Sequence, residues 1–132
     1  MMTQTDDIST KTTEIWLDED GILWLRPNPE IELELEEVVA CFDTYRKMGF
    51  NKDNKVLQII DAQAGVSMNK EGRDYAAEHG QEFFIASAIT SKKLAVRLIV
   101  NFFNIFYKFQ VVPFKLFDTK ENAKKWLFTF RK

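Results

Sequence analysis

Apolar residues along the chain fall either in short β-branched or alternating runs or in longer stretches at helical spacing, and the two kinds take turns. Glu14–Asp18 and Ile22–Arg26 are strand-like runs separated by Glu19-Asp20-Gly21, where Asp-Gly supplies the positive φ an antiparallel hairpin turn prefers. Pro27-Asn28-Pro29 ends the second strand, since proline has no amide to donate to a ladder. From Glu32 to Met48, helical spacing gathers Leu35, Val38, Val39, Phe42 and Tyr45 on one face, with Cys41 at its margin. Glu32, Glu36, Asp43 and Lys47 lie opposite, and Gly49 offers the stop. Lys55–Asp61 reads as a central strand, Lys70–His79 as a helix capped by Asn69 and stopped by Gly80, and Phe83–Ile89 as another strand. Thr90 and Ser91 then cap a long helix over residues 92–109. Pro113–Asp118 forms a last strand, and Asp118 with Glu121 has the capping-box spacing ahead of a terminal helix carrying Ala123, Trp126, Leu127 and Phe130.

The order is therefore β-β-α-β-α-β-α-β-α. Strand, helix, strand alternation makes the later strands parallel, so the expectation is an α/β fold: an N-terminal antiparallel hairpin joined to a mostly parallel four- or five-stranded sheet with about four helices. The 92–109 helix does not fit a single sheet contact. Its polar residues Lys93, Arg97, Asn101, Asn104 and Lys108 share about 80° of the wheel, leaving about three quarters of the circumference apolar, whereas one packed face needs only somewhat more than ~100°. The excess predicts a second contact, with a homodimer partner first, an apolar-ligand pocket second and a membrane surface third.

Composition limits the classes. The 132 residues, 45% hydrophobic, suffice for one domain with a real core; residues 1–12 read as a disordered tail and 13–132 as one folded unit. One cysteine, Cys41, permits no internal disulfide, and a single histidine, His79, leaves no recognisable metal site; no cofactor is expected. The run Glu30, Glu32, Glu34, Glu36, Glu37 sits where a helix dipole favours negative charge, which explains it without a metal. No apolar leader or membrane span is visible, so the expected compartment is the cytoplasm. Charge is split: residues 1–54 hold thirteen acids against five bases, and 55–132 hold seven against thirteen. The two halves are expected to neutralise each other, and no nucleic-acid motif accompanies the basic one, so no nucleic acid is expected as partner.

Open α/β sheets bind ligands where strand C-termini feed helix N-termini. Two such junctions lie here, residues 61–70 and 87–93. With the helices that follow, they supply the candidates for ligand or partner binding: Asp61, Ser67, Asn69, Lys70, Arg73, Thr90, Ser91, Arg97 and Asn101. Capping by Ser67, Asn69, Thr90 and Ser91, loop bonding by Asp61, and surface ion pairing by Arg73 and Asp74 are the simpler uses of these side chains. Catalysis lacks a set: His79 sits at the far end of a helix from Ser67 and Asn69, no carboxylate pair stands out, and no phosphate loop occurs.

The strand ending at Asp61, the run Ser67-Met68-Asn69-Lys70-Glu71-Gly72-Arg73-Asp74, the small-residue strand Ile85-Ala86-Ser87-Ala88, and the spacing of Ser91, Arg97, Asn101, Phe103, Pro113, Phe117, Ala123 and Trp126-Leu127 carry a likeness across most of the chain. The sequence resembles uncharacterised bacterial proteins with the STAS-like fold of anti-sigma-factor antagonists. That resemblance implies a four- or five-stranded sheet with flanking helices and a regulatory or binding role. Sporulation-type antagonists place a phosphorylatable hydroxyl directly after the aspartate; here Asp61 is followed by Ala62, Gln63 and Ala64, leaving Ser67 as a displaced candidate phosphoacceptor. The functional expectation is a non-enzymatic module binding a protein partner or small ligand at the two junctions, dimeric through residues 92–109. The alternative is a carrier or interfacial binder of apolar or lipid-like molecules, with peripheral membrane contact.

Overall fold

The computed structural model describes residues 10, 12–106 and 112–131. Five strands form, β1 (Thr13–Leu17), β2 (Ile22–Pro27), β3 (Val56–Asp61), β4 (Phe84–Thr90) and β5 (Phe114–Phe117), and they lie in the sheet in chain order. β1 and β2 are antiparallel, and every later neighbour is parallel. Four helices accompany them: α1 (Leu35–Lys47), α2 (Lys70–His79), α3 (Leu94–Phe106) and α4 (Lys120–Phe128). The α/β architecture expected from the alternation is the one present. Most of the 1–12 tail and residues 107–109 of the expected long helix lie outside the described residues; Thr10 and Thr12 are described, and Thr12 C=O accepts Asn28 N–H at 2.9 Å.

Local chemistry sets the boundaries. Gly21 turns the β1–β2 hairpin with φ +79, and Trp16 stacks on its cross-strand partner Trp24 at 5.6 Å. Asp18 ties that turn together: its carboxylate accepts Asp20 N–H at 2.8 Å, Ile22 N–H at 3.0 Å and the Trp24 indole at 2.7 Å, with Lys124 Nζ of α4 at 3.2 Å. Burial pushes its carboxyl up, but these bonds outweigh burial and hold it below the ordinary carboxylate range. Lys124 also meets Asp20 at 2.8 Å, so acidic and basic halves pair directly there.

Helix α1 starts three residues later than expected because Glu34 and Glu37 form a capping box, with Glu34 N–H donating to Glu37 Oε1 at 3.0 Å. Two of these acids are thus occupied in capping, although Glu34, Glu36 and Glu37 do lie close together. The buried face of α1 is Val38, Cys41, Phe42 and Tyr45; Leu35 is exposed and Cys41 is central, a rotation of the expected stripe. Asn69 caps α2 as expected, accepting Gly72 N–H at 2.9 Å. Gly80 ends α2 through a 3-10 turn rather than a left-handed residue. At α4 the cap is Thr119, not Asp118: Thr119 Oγ1 accepts Asn122 N–H at 3.2 Å, the better fit of a short hydroxyl one residue further on.

The sheet is covered unequally. Helices α1, α2 and α3 lie over the face formed by Leu23, Leu25, Gln58, Ile60, Ser87, Ile89 and Phe114, while α4 alone packs Ala123 and Leu127 on Ile22, Leu57, Ile59, Ala86 and Ala88. Ala86 and Ala88 let α4 sit close. Helix α3 has three sides: Val96, Ile99, Val100 and Phe103 face inward, Arg97, Asn101 and Asn104 are polar and exposed, and Leu94 (67% exposed), Leu98 (58%) and Ile105 (66%) are apolar and exposed. The apolar excess seen in the sequence is on the surface of the described chain.

Candidate functional site

The two predicted junctions meet. Asp61 and Thr90 end β3 and β4 side by side in register, and the stem of Lys93 lies 3.7 Å from where a Gly65 side chain would begin. Their side chains are mostly occupied. Asp61 accepts Arg26 Nε at 3.2 Å and Gln63 N–H at 3.2 Å, and Arg26 also reaches Glu14 at 3.2 Å. Ser91 is fully buried and its Oγ accepts Lys93 N–H at 3.1 Å. Thr90 is also fully buried and its Oγ1 has no hydrogen-bond partner among the described residues. Ser67 is half-buried with its carbonyl accepting Leu33 N–H at 2.8 Å, Asn69 caps α2, and Lys70 pairs with Asp74 at 2.8 Å. Arg97 and Asn101 point outward on α3, away from these groups.

Arg73 departs from the surface ion pairing expected of it. Asp74 is paired with Lys70, and Arg73 turns inward: Nη1 donates to Met68 C=O at 2.6 Å, the guanidinium carbon lies 5.1 Å from the Phe102 ring of α3, and Nε is buried without a partner among the described residues.

Arg73 borders a cavity of about 140 Å³ between the sheet and the three-helix layer. Leu25, Gln58, Ile60, Ser87, Ile89 and Phe114 form its floor; Val38, Phe42 and Tyr45 of α1, Ala76 of α2, and Ile99 and Phe103 of α3 form its roof. Its walls are apolar except for Thr13, Tyr45, Gln58, Ser87 and Arg73, and the first four lie against one another or their neighbours. Ser87 Oγ donates to Gln58 Oε1 at 2.6 Å. Burial pushes the Tyr45 hydroxyl well above its ordinary pKa, opposed only in part by its bond with Gln58. Burial likewise raises the Cys41 thiol, against bonds with Thr13 and Thr10. A neutral phenol and a neutral thiol beside apolar walls are poor nucleophiles.

The cavity escaped the sequence reading because it is assembled from all three layers. A signal existed: Gln58 and Ser87 interrupt otherwise apolar, buried strands, and adjacent strands bring them face to face.

The profile of a family described as a domain of unknown function (DUF7793) matches residues 15–131, and the chain belongs to that family. The fold is similar to the crystal structure of an uncharacterised DUF3478-family protein from Shewanella loihica PV-4, described as having a SpoIIAA-like fold. The two share 19% identity with a TM-score of 0.62, over 87% of this chain and 91% of that one. At that identity the likeness speaks for the fold, which is the STAS-like one the sequence resembled. No curated protein matches. No helix among the described residues is long and apolar enough to cross a membrane.

Proposed function

We propose that this DUF7793 chain is a non-enzymatic module that binds a small apolar molecule in the cavity between its sheet and helices α1 to α3. The cavity itself carries the reading. Protein interiors are close-packed and voids larger than a water molecule are few, so about 140 Å³ of apolar space is a departure that calls for an occupant. A cavity of about 150 Å³ in an unrelated engineered protein stays dry and binds benzene, which sets the scale of ligand this one takes. The roof includes Ile99 and Phe103 of α3, a helix fixed by few buried side chains, so a longer molecule enters by displacing it. A lone buried thiol asks for no oxidising compartment, and we place the module in the cytoplasm.

Titration with toluene, followed by isoleucine methyl NMR, tests this. The expected result is saturable shifts at Ile60, Ile89 and Ile99 with Ile22 and Ile59 on the opposite face unmoved; no saturable shift at the cavity methyls would refute it.

A second reading is favoured by the exposed stripe of Leu94, Leu98 and Ile105: a second copy of the chain packs there. Sedimentation should then show a dimer that Leu98→Glu dissociates. A monomer at all concentrations removes this reading and leaves the first intact.

A further inference from the structure

We propose that the ligand of this cavity is a short carboxylic acid, held with its carboxylate on Arg73 and its hydrocarbon in the apolar chamber. This rests on the cavity being a ligand site and goes on to name the ligand's chemistry. An arginine is always charged at physiological pH, and Arg73 is half-buried with one guanidinium nitrogen, Nε, taken out of solvent. Its Nη1 is committed to Met68 C=O at 2.6 Å and its guanidinium carbon lies 5.1 Å from the Phe102 ring, while Nε is buried with no hydrogen-bond partner among the described residues. No carboxylate lies within ion-pair distance of it among the described residues; the neighbouring Asp74 meets Lys70 at 2.8 Å.

The chain holds the guanidinium where an anion would be useful. Gly72 makes this possible: a side chain there would meet Met68 and Val38 carbons at 3.0 Å, so only glycine lets the first turn of α2 approach α1 so closely. The next residue, Arg73, then lies at the seam between α2 and α3, on the cavity wall. The remaining polar wall groups do not compete for the ligand head. Gln58 and Ser87 bond each other at 2.6 Å and Gln58 also meets Tyr45. A planar carboxylate suits the Nε edge of a guanidinium, which has no partner among the described residues, and a compact acid of benzene-like bulk fits the volume.

The test compares hexanoate with its neutral isostere hexanamide by calorimetric titration of the full chain at neutral pH. Wild type is expected to bind hexanoate about tenfold more tightly than hexanamide, the scale of one charge-assisted hydrogen bond. Arg73→Met should abolish that preference, so that hexanoate and hexanamide bind the variant within about twofold of each other. If that variant does not fold, the wild-type comparison decides alone. Equal binding of the two compounds, or toluene binding without either of them, overturns the carboxylate assignment and leaves the apolar site standing. Failure of hexanoate, hexanamide and toluene alike overturns both.

Discussion

The two faces of the sheet solve the same covering problem in opposite ways. On one, α4 sets Ala123 and Leu127, both fully buried, against Ala86 and Ala88, leaving Lys120, Glu121, Asn122 and Lys125 outward with Phe128 as its one exposed large apolar residue. On the other, three helices with larger side chains line a cavity bordered by a half-buried arginine, and α3 carries exposed Leu94, Leu98 and Ile105 on its outer side. Small residues permit close approach and so exclude space, whereas aromatic and branched residues from three helices cannot interlock over one floor without leaving some. The α4 face is a structural seal. The other face is packed less completely, and the proposed ligand site lies there.

Substitutions can break this contrast. Leu127→Ala, on the sealed face, should lower unfolding free energy by about 2–5 kcal/mol in a urea melt; a loss of a few tenths would mean α4 is not packed as described. Next in size, Ala88→Leu should cost about 1–3 kcal/mol because α4 leaves it no room. The same enlargement at Ala76, which borders the cavity, should change stability by less than about 1 kcal/mol while eliminating toluene shifts. Equal penalties at the two alanines would erase the distinction between the faces.

The hairpin knot gives a smaller effect, with a pH signature. The Asp18 carboxyl is held below its ordinary value in the fold, so its contribution is complete above the unfolded pKa of about 4 and is lost as pH falls through the folded one. Asp18→Asn should cost about 1–2 kcal/mol at neutral pH and flatten the loss of stability below pH ~4, read from melts across the acid range. The smallest effect belongs to Leu98→Lys on the exposed side of α3, within about 0.5 kcal/mol for the isolated chain.

Most of the fold was legible in the sequence because its signals are local. Asp20-Gly21 announces the hairpin, Asn69 the start of α2, and the three-sided character of α3 follows from counting around its wheel. Boundaries slipped where neighbouring caps compete, as Thr119 does with Asp118. The junction residues were legible as places but not as partners: Asp61 and Thr90 do end up adjacent, while Lys70 and Asn69 are absorbed by α2 itself. The cavity was not legible. Its walls come from β2 to β5 and α1 to α3, so its existence depends on side-chain volumes failing to match across elements far apart in sequence. Arg73 was selected from its motif, but its inward turn depends on Lys70 having taken Asp74 and on Gly72 drawing the helices together.

The most direct test of the central claim is diffraction from crystals under xenon pressure. Xenon reports apolar space without needing a polar partner. A xenon peak bounded by Ile60, Ile89, Ile99 and Phe103, with none between α4 and the sheet, is the predicted result; density that stays empty on the cavity side would contradict the account.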